Sequence, residues 1–206
     1  MLTLHPSNYA AVAADTFSSE LGILSTSKPR LITAPWRTVP PGTNGGVTAT
    51  GIQGGLLGAF IISITATLLM PFCSTSPAHG LGGQSSGWDT RSKINFALSV
   101  TLLGTCGSLL DSLLGAVLQA SVVDVRSGKI IEGDGGGKVP VHGIALTPTV
   151  GKKENSAHDS RRIEVGYDIL SNNGVNLLMA AVISGLAILG AARVWGVPLE
   201  RVFAFA

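Results

Sequence analysis

Val47–Met70, VTATGIQGGLLGAFIISITATLLM, is the stretch that decides the fold class. It runs for 24 residues without a charged side chain, and about 20 apolar residues suffice for an α-helix to cross the hydrocarbon core of a bilayer. Pro71 follows at once; proline lacks an amide hydrogen, clashes with the preceding turn and ends a helix. In lipid, backbone polar groups must be satisfied within the spanning structure, so this stretch predicts a membrane helix.

Two more segments share the pattern. Ile94–Val123 covers 30 residues and is broken only by Asp111 and Gln119, a length that fits one long tilted helix or two helices meeting near Gly104–Gly107. Val175–Val197 is the last, with Arg193 near its end, where a long cation can reach the interface. Residues 10–24, AAVAADTFSSELGIL, predict a further helix of marginal hydrophobicity, interrupted by Asp15, Ser18, Ser19 and Glu20.

The connectors differ in kind. Residues 25–46 hold basic residues and turn signals, and Pro35, Pro40 and Pro41 exclude a continuous helix there. Residues 71–93 are rich in Ser and Gly, whereas 124–167 are charged and glycine-rich, as an extramembrane loop would be. The expected architecture is all-α: a polytopic membrane helix bundle, one integral membrane domain over residues 1–206, with one long polar loop. The Lys and Arg of that loop favour a cytosolic placement.

Composition agrees. Hydrophobic residues make up 45% of the 206 and charged residues only 13%, about half the roughly 25% of soluble proteins. Mean hydropathy is +0.42. A net charge of +2 with no basic tract excludes a nucleic-acid partner. Cys73 and Cys106 lie in or beside apolar segments without metal-ligand spacing and read as small buried hydrophobes. Met1–Tyr9 has neither a basic n-region nor an apolar h-region, so membrane insertion relies on the internal helices.

Carboxylates and amides within membrane helices are expensive, and they normally face the bundle interior or water. In DTFSSE, Asp15, Ser18, Ser19 and Gly22 share a helical face, whereas Glu20 points well away from Asp15. This segment reads either as a helix with one acid turned into the bundle or as a surface amphipathic helix. In GTCGSLLDSLLGAVLQ, Gly104, Ser108, Asp111, Gly115 and Gln119 form a narrow stripe, suited to a ligand or to an interhelical hydrogen bond. In DILSNNGVN, Asp168, Asn172 and Asn176 follow at i, i+4 and i+8, with Asn173 beside them. Amides next to an acid suit Mg²⁺ or phosphate oxygens, and equally a capped helix N-terminus. The loop PPGTNGG places Gly42, Thr43, Asn44, Gly45 and Gly46 just before the helix from Val47. A glycine turn of this kind can direct amides at an anion near the positive end of a helix.

Other chemistries fail on spacing. EGDGGGK is not a phosphate loop, because Glu132 stands where glycine is needed and Val139 where Ser or Thr is needed. His5, His79, His142 and His158 fall outside any G-x-S-x-G turn, which leaves a hydrolase unsupported.

Taken in order, ADTFSSELGILSTSKPRLIT, VPPGTNGGVTATG, GSLLDSLLGAVLQ and DILSNNGVN resemble the motifs of the integral membrane family known as domain of unknown function 92. The resemblance covers about residues 10–180 outside the loops. It implies a polytopic membrane protein and, by the family's plant phytyl-phosphate kinase branch, phosphorylation of an isoprenoid monophosphate by a nucleoside triphosphate. By position, Asp15 and Glu20 match the family's acid pair and Lys28 and Arg30 its basic pair. Gly42–Gly46 match the glycine turn and Asp111 the mid-helix acid, while Asp168, Asn172, Asn173 and Asn176 match the last motif.

On that basis Asp15, Asp111 and Asp168 are expected to hold Mg²⁺, with Glu20 as a further catalytic acid. Gly42–Gly46 and the asparagines would bind nucleotide phosphates, and Lys28 and Arg30 would balance their charge. The implied partners are membrane lipid and an isoprenoid phosphate, in a eukaryotic endomembrane or a plastid membrane. A transporter or scaffold using the same acids is the alternative. Family members usually carry several further helices before the acid pair, so the chain is expected to be a truncated form of the fold.

Overall fold

A computed structural model describes residues 4–70, 88–131, 133, 139, 161–194 and 196. Within the expected polar loop at 124–167, residues 132, 134–138 and 140–160 lie outside the described residues, as do Cys73, His79, His142 and His158. The elements in order are α1 (Leu4–Gly22), β1 (Arg30–Leu31), β2 (Ala34–Thr38), β3 (Gly46–Val47), α2 (Ala49–Leu69) and α3 (Thr90–Leu118). β4 (Ser121–Asp124), β5 (Lys129–Ile131), β6 (Arg161–Val165) and α4 (Asn172–Val194) complete them. The protein is a helical membrane protein, and among the described residues it has two minor three-stranded sheets, ordered β2-β1-β3 and β5-β4-β6. α2, α3 and α4 are each long and apolar enough to cross a membrane. α1, which carries Asp15 and Glu20, is not among those three.

The apolar stretch at 94–123 resolves into one continuous helix that starts earlier and stops sooner. Asp89 caps its start, its carboxylate accepting the Ser92 amide at 3.1 Å. Hydrogen bonds from the Ser92 hydroxyl and then the Ser92 amide hold the Asp89 carboxyl below its ordinary pKa. At the other end, β-branched Val122 and Val123 leave the helix and pair with strands on both sides, Val122 with Ile131 and Ile163.

By compactness the chain divides into two units. One comprises Met1–Ser18, Gln53–Ser108 and Ala180–Ala206, and the other Ser19–Ile52 and Leu109–Met179.

In the first, helical unit, α1 is the common neighbour of the other helices. Ala10, Ala11 and Ala14 are wholly buried. A Cβ added to Gly104 of α3 would lie 2.8 Å from the methyls of both Ala10 and Ala59. Gly107 meets Ala11 in the same way, and Gly55 and Gly58 of α2 meet the backbone of Ala14 and Ala13. Small residues on both sides let backbones approach, which is how helices gain dispersion energy where lipid supplies no hydrophobic drive. Two polar contacts add direction: the Asn8 amide donates to Ser184 of α4 at 3.0 Å, and the Ser63 hydroxyl donates to the Ala97 carbonyl at 2.9 Å. Large apolar side chains such as Leu56, Phe60, Leu98, Leu102, Leu186 and Leu189 are instead exposed. Small residues inside and large apolar ones outside suit a protein whose solvent is lipid.

The second unit carries both sheets. In one, Arg30 pairs with Thr38 on one side and Val47 on the other, so residues 30–47 are tied to the start of α2. In the other, β4 leaves the end of α3 and lies between β5 and β6. The segment after β6 then wraps the end of α3. Tyr167 donates its amide to the Val117 carbonyl, and Ile169 and Leu170 donate theirs to Leu118, which satisfies carbonyls that a helix terminus leaves open. Gly166 makes the wrap possible. Its φ is 79°, and a Cβ there would overlap the Gln119 carbonyl oxygen at 1.9 Å.

Gly104→Ala should therefore destabilise the detergent-solubilised protein by about 1–3 kcal/mol through overpacking. Gly185→Ala, facing open space, should leave thermal unfolding unchanged or raise its midpoint. Gly166→Ala should exceed the roughly 1–2 kcal/mol of backbone strain alone, a cost that Gly128→Ala (φ 67°, nothing nearby) would show without the overlap. Equal midpoints within either pair would refute the packing account.

Candidate functional site

The glycine turn consists of two successive turns. The Thr43 amide bonds the Pro40 carbonyl at 3.2 Å, and the Gly46 amide bonds the Thr43 carbonyl at 2.9 Å. Gly42 (φ 84°) and Gly45 (φ 74°) take their third positions, as type II turns require. The Asn44 amide donates to the Ser121 hydroxyl at 2.8 Å. Gly45 is pressed on α3, where a Cβ would meet the Ala116 methyl and the Ser112 carbonyl. The amides of Thr43, Asn44 and Gly46 are thus engaged inside the protein, and the turn does not present the row of open donors that its sequence suggested. Gly45 and Gly46 serve close packing, which fixes how the chain runs into α2.

The cationic residues find a cavity beside it. A cleft of about 320 Å³ is lined by Ser27, Lys28, Arg30, Thr38, Val47, Thr48 and Ala49. Thr48 is the N-cap of α2: its hydroxyl accepts the Gly51 amide and its carbonyl the Ile52 amide, both at 3.0 Å. Lys28 and Arg30 therefore stand beside the positive end of a 21-residue helix. Arg30 donates to the Pro35 carbonyl at 2.9 Å, a neutral partner that leaves its charge uncompensated. Glu164 pairs instead with Arg37 at 2.6 Å and Arg162 at 2.8 Å. Among the described residues neither Lys28 nor Arg30 has a carboxylate partner, so the cleft is electropositive.

Further along the same unit, the α3 stripe reaches the last motif. Gly115 and Gln119 are buried and Asp111 is half-buried. The Gln119 amide donates to Asn172 Oδ1 at 3.3 Å, joining the end of α3 to the first residue of α4. Ser171 caps α4, accepting the Gly174 amide on its hydroxyl and the Val175 amide on its carbonyl. Asp168, Asn172 and Asn173 are exposed around this helix start. Asn176 Oδ1 is buried and has no hydrogen-bond partner among the described residues.

The acid pair of α1 is divided. Asp15 belongs to the helical unit, where Ser108 donates to its carboxylate, whereas Glu20 is exposed and belongs to the other unit. Among the described residues no three His, Cys, Asp or Glu side chains form a group able to hold a metal ion. Of the three aspartates expected to hold Mg²⁺, Asp15 falls in the helical unit and Asp111 and Asp168 in the sheet-bearing one. Sequence reasoning missed Ser27, Thr38 and Thr48 as cleft residues. Thr48 had a signal, a threonine directly before an uncharged helical run; Ser27 and Thr38 had none, Thr38 being brought in by its pairing with Arg30.

Residues 1–184 match the family described as Integral membrane protein DUF92. Protein PGR of Arabidopsis thaliana is 34% identical over 180 residues, which cover 87% of this chain and 51% of that protein. The uncharacterized membrane protein MJ0933 of Methanocaldococcus jannaschii is 40% identical over 113 residues, 55% of this chain and 38% of that protein. The chain thus spans about half the length of the plant relative, and less of the archaeal one. No solved structure matches it. With all four sequence motifs inside the matched residues, the chain belongs to the DUF92 family of integral membrane proteins.

Proposed function

We propose that this membrane protein transfers the γ-phosphoryl group of a nucleoside triphosphate to an isoprenoid monophosphate such as phytyl phosphate. The observation that carries the reading is the electropositive cleft where Lys28 and Arg30 flank the capped N-terminus of α2. Two cations and a helix dipole converging on one small volume suit a phosphate dianion. The chemistry asks little else. An oxygen of the monophosphate attacks the γ-phosphorus, the bond from that phosphorus to the β,γ-bridging oxygen breaks, and the nucleoside diphosphate leaves. The attacking oxygen is already anionic, so no placed histidine is required.

Asp168, Asn172 and Asn173, exposed at the start of α4, are the groups offered to the nucleotide. The glycine turn takes a positioning part, since its amides are engaged. Mg²⁺ in this reading comes with the triphosphate and supplies charge neutralisation; the ion commonly uses one or two carboxylates together with substrate phosphates and water. Asp111 and Asp168 are the carboxylates of this unit assigned to it, which removes the need for a three-carboxylate group. The host membrane in this reading is an endomembrane or a plastid membrane.

Purified protein in lipid nanodiscs, given a radiolabelled nucleoside triphosphate and phytyl monophosphate, should form phytyl diphosphate. Lys28→Ala with Arg30→Ala should lower kcat/KM by at least about a hundredfold, at roughly 1.5–3 kcal/mol for each of two charged hydrogen bonds lost. Asp168→Asn should reduce turnover and weaken its dependence on Mg²⁺. Wild-type protein that yields no diphosphate but moves ions across vesicle membranes would replace this reading with a transporter.

A further inference from the structure

The cleft has a depth in the membrane that α2 sets. At 1.5 Å per residue, the 21 residues of α2 extend about 31 Å, against a hydrocarbon core of about 30 Å. The helix needs its whole length to cross. Its first turn, and the Thr48 cap, therefore lie at the boundary between acyl chains and headgroups. Val47, Thr48 and Ala49 line the cleft, so the cleft opens at headgroup level.

The sheet β2-β1-β3 holds a second group at the same place. Arg30 is paired to Val47 and to Thr38, and its guanidinium grips the Pro35 carbonyl. Next to Pro35, Trp36 is 81% exposed on a short strand. An indole ring of this size is unfavourable in water and favourable in the interfacial layer, where its apolar body and its N–H are both accommodated.

We propose that Trp36 is an interfacial anchor seated in the headgroup layer, and that the Lys28–Arg30 cleft beside it takes the phosphate of a membrane-embedded monoester. A phosphate presented by a lipid reaches the cleft from the bilayer while its tail stays among the acyl chains. The nucleotide, arriving from water, uses other groups. The lipid assignment of the cleft rests on the kinase reading, whereas the depth of Trp36 does not.

Two measurements test this without turnover. With Trp36 as the sole tryptophan, in a Trp88→Phe, Trp195→Phe protein reconstituted in phosphatidylcholine vesicles, its emission should be blue-shifted. Shallow brominated lipids should quench it and aqueous iodide should not. Water-like emission quenched by iodide alone would overturn the anchor. Should that variant fail to fold, a nitroxide on Trp36→Cys in a Cys73→Ser, Cys106→Ser background reads the same depth from oxygen and nickel-chelate accessibility.

For the cleft, nanodiscs containing phytyl monophosphate should raise the melting temperature, and Lys28→Ala with Arg30→Ala should abolish the rise. Inorganic phosphate in the water phase should give none. An equal rise with inorganic phosphate, or no rise with the lipid, would overturn the lipid assignment. Turnover in the labelled-nucleotide assay despite either result would leave the kinase reading standing, so the two failures are distinguishable.

Discussion

The helical unit depends on close contact between α1 and its neighbours. Ala10, Ala11, Ala13 and Ala14 meet glycines of α2 and α3 at distances that no larger side chain would allow. Lipid tails are as apolar as leucine, so burying leucine in a membrane protein gains little; what helices gain is dense backbone contact and hydrogen bonds shielded from water. That explains why α1 can be the least apolar of the helices and still be central. It contributes small residues, one amide to Ser184 and one carboxylate to Ser108, and leaves the lipid-facing role to the large side chains of the other three.

The sheet-bearing unit follows a different rule. There the constraint is the termination of α3, whose last carbonyls are taken by the amides of 167, 169 and 170. One glycine, one glutamine and one serine complete the join: Gly166 allows the approach, Gln119 reaches Asn172, and Ser121 takes the Asn44 amide. The glycine turn, the end of α3 and the start of α4 are consequently one hydrogen-bonded assembly. The cleft beside it gains a fixed backbone from this, although only Lys28 and Arg30 bring charge.

Much of this was legible in the residues, and the part that was not has physical causes. Apolar length identified the three helices long and apolar enough to span, because the bilayer imposes a threshold. The 3.6-residue period placed Gly104, Ser108, Gly115 and Gln119 on one stripe, and all four are buried. The strands were invisible, since two to five residues give too short a pattern, and Val122–Val123 continued the apolarity of α3 without a break. The packing of the glycine turn was hidden for a related reason: sequence shows that glycine permits an unusual backbone, but not that at Gly45 the freed space is taken by Ala116. Cleft residues such as Ser27 and Thr38 are polar and unremarkable until pairing of Arg30 with Thr38 sets them beside α2.

The sheet β5-β4-β6 has a consequence for the chain between its outer strands. β5 and β6 both pair with β4, Ile131 opposite Val122 and Arg161 opposite Asp124, so these two residues stand two strand spacings apart and two residues offset, about 12 Å. Whatever leaves β5 returns to β6 at that separation. Doubling a loop closed in this way costs only about 0.6 kcal/mol in chain entropy. Segment length is therefore nearly free to drift between relatives, and a folded insert with adjacent termini could be spliced here with little penalty to the membrane helices. The two strands, each held by β4, act as a clasp at which a change of length on one side is not passed on to the other.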